Sequence, residues 1–225
     1  MNLHLFSTPG EHDIRYIIEA SRPHLEGRDD PTVAFLPLAS LYAERWLQYT
    51  ESSFKSMARV ETINAETMSL PEMEDIIRRA TLVYISGGNT FLLAHRLHIT
   101  RVLPFLRKKV QAGLPVVAFS AGAILCGPNV LTSRDMNTVA TSNFEGLNVI
   151  PFNFLAHYPA DTHGQSVHDE WLADYYFFHD NPVIMLSDGA YVKVDGKKTT
   201  LVRGEAWILR KDREKERLET GKLIT

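Results

Sequence analysis

Short apolar runs alternate with longer stretches of helical character through the first half of the chain, and this alternation leaves few architectures open. LHLF (3–6), TVAFLPL (32–38), RVETI (59–63), TLVYIS (81–86) and PVVAFS (115–120) read as strands. The stretches between them carry helix signals. Ser69 and Glu72 form a capping box with Pro71 in the first turn, Asn89 can cap TFLLAHRL, and Thr100 can cap RVLPFLRKKVQA, which Gly113 ends. Repeated strand, helix, strand units predict an α/β fold, a largely parallel sheet with helices on both faces.

After about residue 145 the pattern changes. LNVI (147–150), NPVIMLS (181–187), AYVKV (190–194), TTLV (199–202) and AWIL (206–209) read as strands joined by tight turns, a β-rich carboxyl-terminal extension of the sheet. One helix interrupts them, VHDEWLADYYFF, with Ser166 as its expected cap. The charge run RKDREKERLE (210–219) reads as a solvated terminal segment. No linker or internal repeat divides the chain, so residues 1–225 are expected to form a single domain.

Composition excludes several classes of function. A net charge of -3 gives no electrostatic footprint for nucleic acid, and no window reaches the roughly 18 apolar residues of a membrane span. The lone cysteine, Cys126, can form neither an internal disulfide nor a thiolate cluster. The expectation is a cytoplasmic protein, monomer or homodimer, acting on a small molecule without cofactor or metal.

The segment AFSAGAILCGP (118–128) places Ser120 where a strand ends and a helix begins. In parallel α/β sheets, ligands gather at such carboxyl ends. A nucleophile elbow needs small residues two positions either side of its strained nucleophile, and here they are Ala118 and Gly122. A second strand end, YISGGNTF (84–91), supplies Gly87 and Gly88. The backbone N–H groups of Gly88 and Ala121 are candidate oxyanion donors, each worth about 3 kcal/mol of transition-state stabilisation. A plain tight turn would use the same glycines.

A serine hydroxyl needs a base, and His157, in a loop after LNVIPFNFLA, is the candidate among the nine histidines. His95 and His98 fall on a helix, and His163, His168 and His179 stand in polar surroundings. The base needs an orienting acceptor; Asp188 in MLSDGAY and Asp135 in TSRDMN both qualify. The spacing of HGQSVHDE suits no metal site.

Taken together, SGGNTF (86–91), FSAGA (119–123), GPNVLTSRDM (127–136), FEGLNVIPFNFLAHY (144–158) and LSDG (186–189) resemble the aspartyl dipeptidase (peptidase E) family of serine peptidases. The resemblance runs over roughly residues 30 to 210, and the family is related by fold to class I glutamine amidotransferases. It implies Ser120 as nucleophile, His157 as base and Gly88 with Ala121 as oxyanion donors. Asp188 stands where the family usually has a glutamate, and Asp135 matches an aspartate sometimes assigned to the charge relay. Asn89, beside the glycine turn, and Glu170 are candidate substrate-binding residues. Where family members that cleave after aspartate carry arginines, in a stretch resembling GETREQRI, this chain reads GQSVHDEW (164–171), with Val167 and Glu170 at the arginine positions. The implied activity is hydrolysis of short peptides without strict preference for an amino-terminal aspartate. A cyanophycinase-like or amidase-type hydrolase, or a silent family member that binds without cutting, is the alternative.

Overall fold

The computed structural model describes residues 1–8 and 14–224. Its framework is a seven-stranded sheet in the order β3-β2-β4-β5-β1-β8-β9. The strands β1 (Asn2–Phe6), β2 (Thr32–Leu36), β3 (Arg59–Thr62), β4 (Leu82–Ile85) and β5 (Val116–Phe119) run parallel. The helices α1 (Arg15–Leu25), α2 (Ala43–Phe54), α3 (Leu70–Arg79), α4 (Thr90–Ile99), α5 (Leu103–Gln111) and α6 (Ala121–Leu125) connect or follow them.

Side chains alternate across a strand, so a parallel strand covered on both faces must be apolar throughout. The central strands meet this condition. Leu3, Leu5, Ala34, Leu36, Val83, Ile85, Val116 and Ala118 pack on one face with Met73 and Ile77 of α3, Leu93 of α4 and Leu106 of α5. Phe6, Val33, Phe35, Leu82, Tyr84 and Val117 fill the other face with Ile17 of α1 and Phe54 of α2. Each of the large side chains fully removed from water contributes about 1.5–3 kcal/mol.

The second half builds more than an extension. The strands β8 (Tyr191–Asp195) and β9 (Lys198–Arg203) edge the large sheet, β8 antiparallel to β1 and β9 antiparallel to β8. A separate four-stranded sheet contains β6 (Asn153–Leu155), β7 (Val183–Leu186), β10 (Ala206–Leu209) and β11 (Glu216–Arg217). Its β6 and β7 are parallel neighbours linked by α7 (Thr162–Phe178). A crossover helix of that kind is what two adjacent parallel strands require.

Three local expectations differ from the structure. Residues 147–150 form no strand; the N–H groups of Leu147, Asn148 and Val149 instead donate to the carbonyls of Leu125, Gly127 and Cys126, wrapping the segment around the end of α6. The long helix starts at Thr162, four residues before Ser166, because Asp161 accepts from the Gly164 N–H at 2.8 Å. Gly164 is no breaker there, since a Cβ would stand 2.6 Å from that of Pro159. Thr100 closes α4 by donating to the Arg96 carbonyl at 2.6 Å and does not cap α5. The charge run is largely exposed, as expected, and within it Lys215 reaches Asp169 at 2.7 Å and the Tyr158 hydroxyl at 2.6 Å. The capping box at Ser69 and the Asn89 cap are both present.

On the α1 face of β1, His4 meets His24 at 2.8 Å and the Tyr191 hydroxyl at 2.5 Å. Burial and the neighbouring His24 bring the His4 pKa down to about 3, and burial lowers that of His24 as well. Below pH ~6.5 the unfolded chain takes up protons that the folded chain refuses. Stability is therefore complete above that pH and declines as pH falls from 6.5 toward 3. Denaturant titrations at pH 7.5, 6 and 5 are expected to show this loss, with a shallower slope in His4→Leu.

Candidate active site

The site lies where the carboxyl ends of two pairs of parallel strands converge. In the large sheet, β1 and β5 are neighbours with Phe6 opposite Phe119, and the next residues are Ser7 and Ser120. In the small sheet, β6 and β7 are neighbours with Leu155 opposite Met185, and two to three residues further along lie His157 and Asp188. The four side chains meet across the gap. Ser120 Oγ is 2.9 Å from His157 Nε2, and His157 Nδ1 is 2.6 Å from Asp188 Oδ1.

Ser120 adopts φ 49° and ψ −116°, a conformation that costs a non-glycine residue on the order of 1–3 kcal/mol. Bonds on both sides hold it. Its N–H donates to the Phe6 carbonyl at 2.9 Å, and its carbonyl accepts from Ile124 N–H at 3.0 Å as α6 begins. The neighbouring glycines are sterically required. A Cβ on Gly122 would stand 2.5 Å from the Ile85 carbonyl oxygen, and one on Gly87 would stand 2.6 Å from the Phe119 ring. Gly88, at φ 134°, approaches the Ala39 carbonyl so closely that a Cβ would stand 2.5 Å from its oxygen. Among the described residues, no backbone carbonyl accepts from the N–H of Gly88 or of Ala121.

The structure separates the two aspartates. Asp188 is the acceptor brought to His157. Asp135 lines the cleft but turns its carboxylate to the amino end of α4, accepting from Thr90 N–H at 2.7 Å and from the Ser133 hydroxyl at 2.9 Å. Asn89 is likewise occupied, accepting from Leu92 N–H and donating to the Met136 carbonyl. Glu170 is exposed on α7 and does not line the cleft, nor does Val167. Asp169 is taken up by Tyr158 and Lys215. Cys126 is buried, donates weakly to the Gly122 carbonyl, and has its thiol pKa pushed up to about 12 by burial. Among the described residues, no group of three or more His, Cys, Asp or Glu side chains is placed to hold a metal ion.

Three residues that the sequence did not single out are part of the site. Ser7 is wholly buried; its hydroxyl accepts from the His157 N–H at 2.9 Å and donates to Asp188 Oδ1 at 3.3 Å. That bridge steadies His157, whose own φ is 58°. A polar residue directly after a buried strand, beside the strand that carries Ser120, was the available signal. The other two are Arg134 and His168, which line the same cleft of about 570 Å3. His168 is not the exposed polar residue its surroundings suggest, being 7% exposed.

An imidazole whose Nδ1–H is held by a carboxylate and whose Nε2 faces a hydroxyl can take that hydroxyl's proton, so the arrangement suits acyl transfer through an activated serine. Ser7→Ala removes the acceptor for a buried N–H. Activity is expected to fall about tenfold, the equivalent of ~1.4 kcal/mol, mostly in kcat, with the fold retained by circular dichroism.

Residues 6–202 match the model of Peptidase family S51. A protein of Drosophila melanogaster named "Probable alpha-aspartyl dipeptidase" is 30% identical over 211 residues, covering 89% of this chain and 86% of its own. Peptidase E of Streptomyces coelicolor is 30% identical over 213 residues, covering 89% and 84%. The crystal structure of a peptidase from an acI-B1 actinobacterium superposes with a TM-score of 0.73 at 19% identity, covering 100% and 96%, which is a likeness of fold. With the match spanning Ser7, Ser120, His157 and Asp188, the chain belongs to peptidase family S51, a family of serine-type peptidases.

Proposed function

We propose that the protein hydrolyses short peptides, as a dipeptidase or similar exopeptidase, with Ser120 as nucleophile, His157 as general base and Asp188 as its orienting acceptor. The observation that carries this reading is the chain of contacts from Ser120 Oγ through the His157 ring to Asp188, at 2.9 and 2.6 Å. The methylene by which Asp188 is shorter than glutamate leaves the contact within hydrogen-bond range. Asp135 keeps the role of a wall residue, its carboxylate held by the Thr90 N–H and the Ser133 hydroxyl.

In the first step Ser120 Oγ bonds to the peptide carbonyl carbon while its proton passes to His157 Nε2. The carbonyl oxygen becomes an oxyanion at the N–H groups of Gly88 and Ala121. The imidazolium then gives its proton to the leaving amine as the C–N bond breaks, leaving an ester on Ser120. Water attacks that ester, its proton passes to His157, and the released serinate takes the proton back as the acid departs. Each step uses only side chains and N–H groups of this chain.

The reading extends to fold and setting. The elbow between β5 and α6 supports a class I glutamine amidotransferase-like arrangement, and the single buried Cys126 supports work in the reducing cytoplasm. Positions 167 and 170 of α7 bring no cation toward the substrate, which supports a preference for amino-terminal aspartate that is not strict.

Purified protein is expected to cleave dipeptides in the presence of a chelator, and Ser120→Ala to lose at least about a thousandfold in rate. Across a panel varied at the first residue, Asp-Leu is expected to exceed Leu-Leu and Ala-Leu by no more than about tenfold, since exposed charges discriminate weakly. A wide margin for Asp-Leu would sink the relaxed preference. No turnover of any dipeptide by the folded protein would sink the peptidase reading.

A further inference from the structure

Arg134 lines the cleft together with Ser120 and His157. The arginines at 22, 59, 78, 79, 96, 107, 210 and 217 each have a carboxylate within ion-pair distance. Among the described residues, none pairs with Arg134. The nearest carboxylate in sequence, Asp135, is turned to the Thr90 N–H and the Ser133 hydroxyl.

What holds Arg134 is a neutral ring. Its Nη1 lies 2.6 Å from His168 Nε2, and His168 Nδ1 lies 2.8 Å from the Gly164 carbonyl oxygen. A carbonyl only accepts and a guanidinium only donates, so Nδ1 carries the proton and Nε2 presents its lone pair. The ring is further fixed edge-on against Tyr158, with centroids 5.6 Å apart. Burial and the facing guanidinium lower the His168 pKa, which favours this uncharged form. A neutral acceptor orients the guanidinium without cancelling its charge, and among the described residues only its Nη1 is engaged.

We infer that Arg134 receives a carboxylate of the bound peptide and that His168 is the positioning residue that aims it. The inference rests on the cleft taking peptides, as proposed above. The two sources of a carboxylate in a short peptide are its carboxyl terminus and an acidic side chain. The terminus is present whatever the first residue, and so agrees with a relaxed preference at that residue. A planar fork suits either, because it can bond both oxygens at once.

The test measures binding, so that it does not depend on turnover. Ser120→Ala would be titrated calorimetrically with Ala-Leu, Ala-Leu amide and Asp-Leu amide, with and without Arg134→Met. The expected result is a dissociation constant for Ala-Leu that rises about tenfold or more on losing Arg134, with little change for Ala-Leu amide. A rise confined to Asp-Leu amide would still support the carboxylate receptor and would name the side chain as its source. His168→Leu is expected to weaken the same peptide several-fold and His168→Gln, which keeps an acceptor, to recover part of the loss. A purely structural role for His168 would weaken acid and amide alike and show no such rescue. Equal affinities for all three peptides with and without Arg134, or binding of none, overturns the inference. Failure of the peptidase reading shows separately, as absent turnover in wild type.

Discussion

Ser120 holds a backbone conformation that no side-chain-bearing residue adopts without cost, and the rest of the architecture is arranged to keep it there. The strand before it is locked between β4 and β1, its N–H is bonded to Phe6, and the helix after it starts within one residue. Gly122 lets that helix lie against Ile85, and Gly87 leaves room for the Phe119 ring. Larger residues at those positions would push the elbow away from the sheet. Local strain is thereby sustained by a buried core whose total stabilisation is far larger.

The second demand is that an imidazole be held at a fixed distance from that hydroxyl by a different part of the chain. The small sheet meets it by repeating the logic of the large one, with adjacent parallel strands delivering adjacent side chains. Ser7 then joins the two sheets, bonding to the backbone of His157 and the carboxylate of Asp188 while standing one residue beyond β1. Because this hydroxyl is buried, it tolerates little displacement of either sheet. The cleft wall beyond Ser120, His157 and Asp188 is set by α7 and the 131–136 loop, which touch through Arg134 and His168.

What the sequence made legible was whatever depends on short-range pattern. The parallel strands, the Ser69 and Asn89 caps, the elbow at Ser120 and the glycine turn at Gly88 each rest on neighbouring residues, and each could be read from them. The choice between Asp188 and Asp135 could not, because each could equally serve as an Asx-turn residue and their fates differ through the packing of distant segments. Ser7 gave almost no signal, since its importance comes from partners 150 and 181 residues away. Residues 147–150 look like a strand but find their hydrogen-bond partners in the turn after α6. Val167 and Glu170 stand where the resemblance places arginines, whereas the face of α7 that meets the cleft is the one bearing His168.

The place of β1 in the sheet sets an order of events during synthesis. Among the described strands it precedes all the others in the chain, yet its two neighbours are β5, which begins at Val116, and β8, which begins at Tyr191. The apolar segment NLHLF must therefore wait for most of the chain before both its edges are covered, and pairings of such long sequence separation form slowly. Until then its exposed edge can template association with other chains. Ser7 reaches its partners only when β1 has docked, so the bridge that ties the His157 backbone and Asp188 to the large sheet belongs to the contacts completed late.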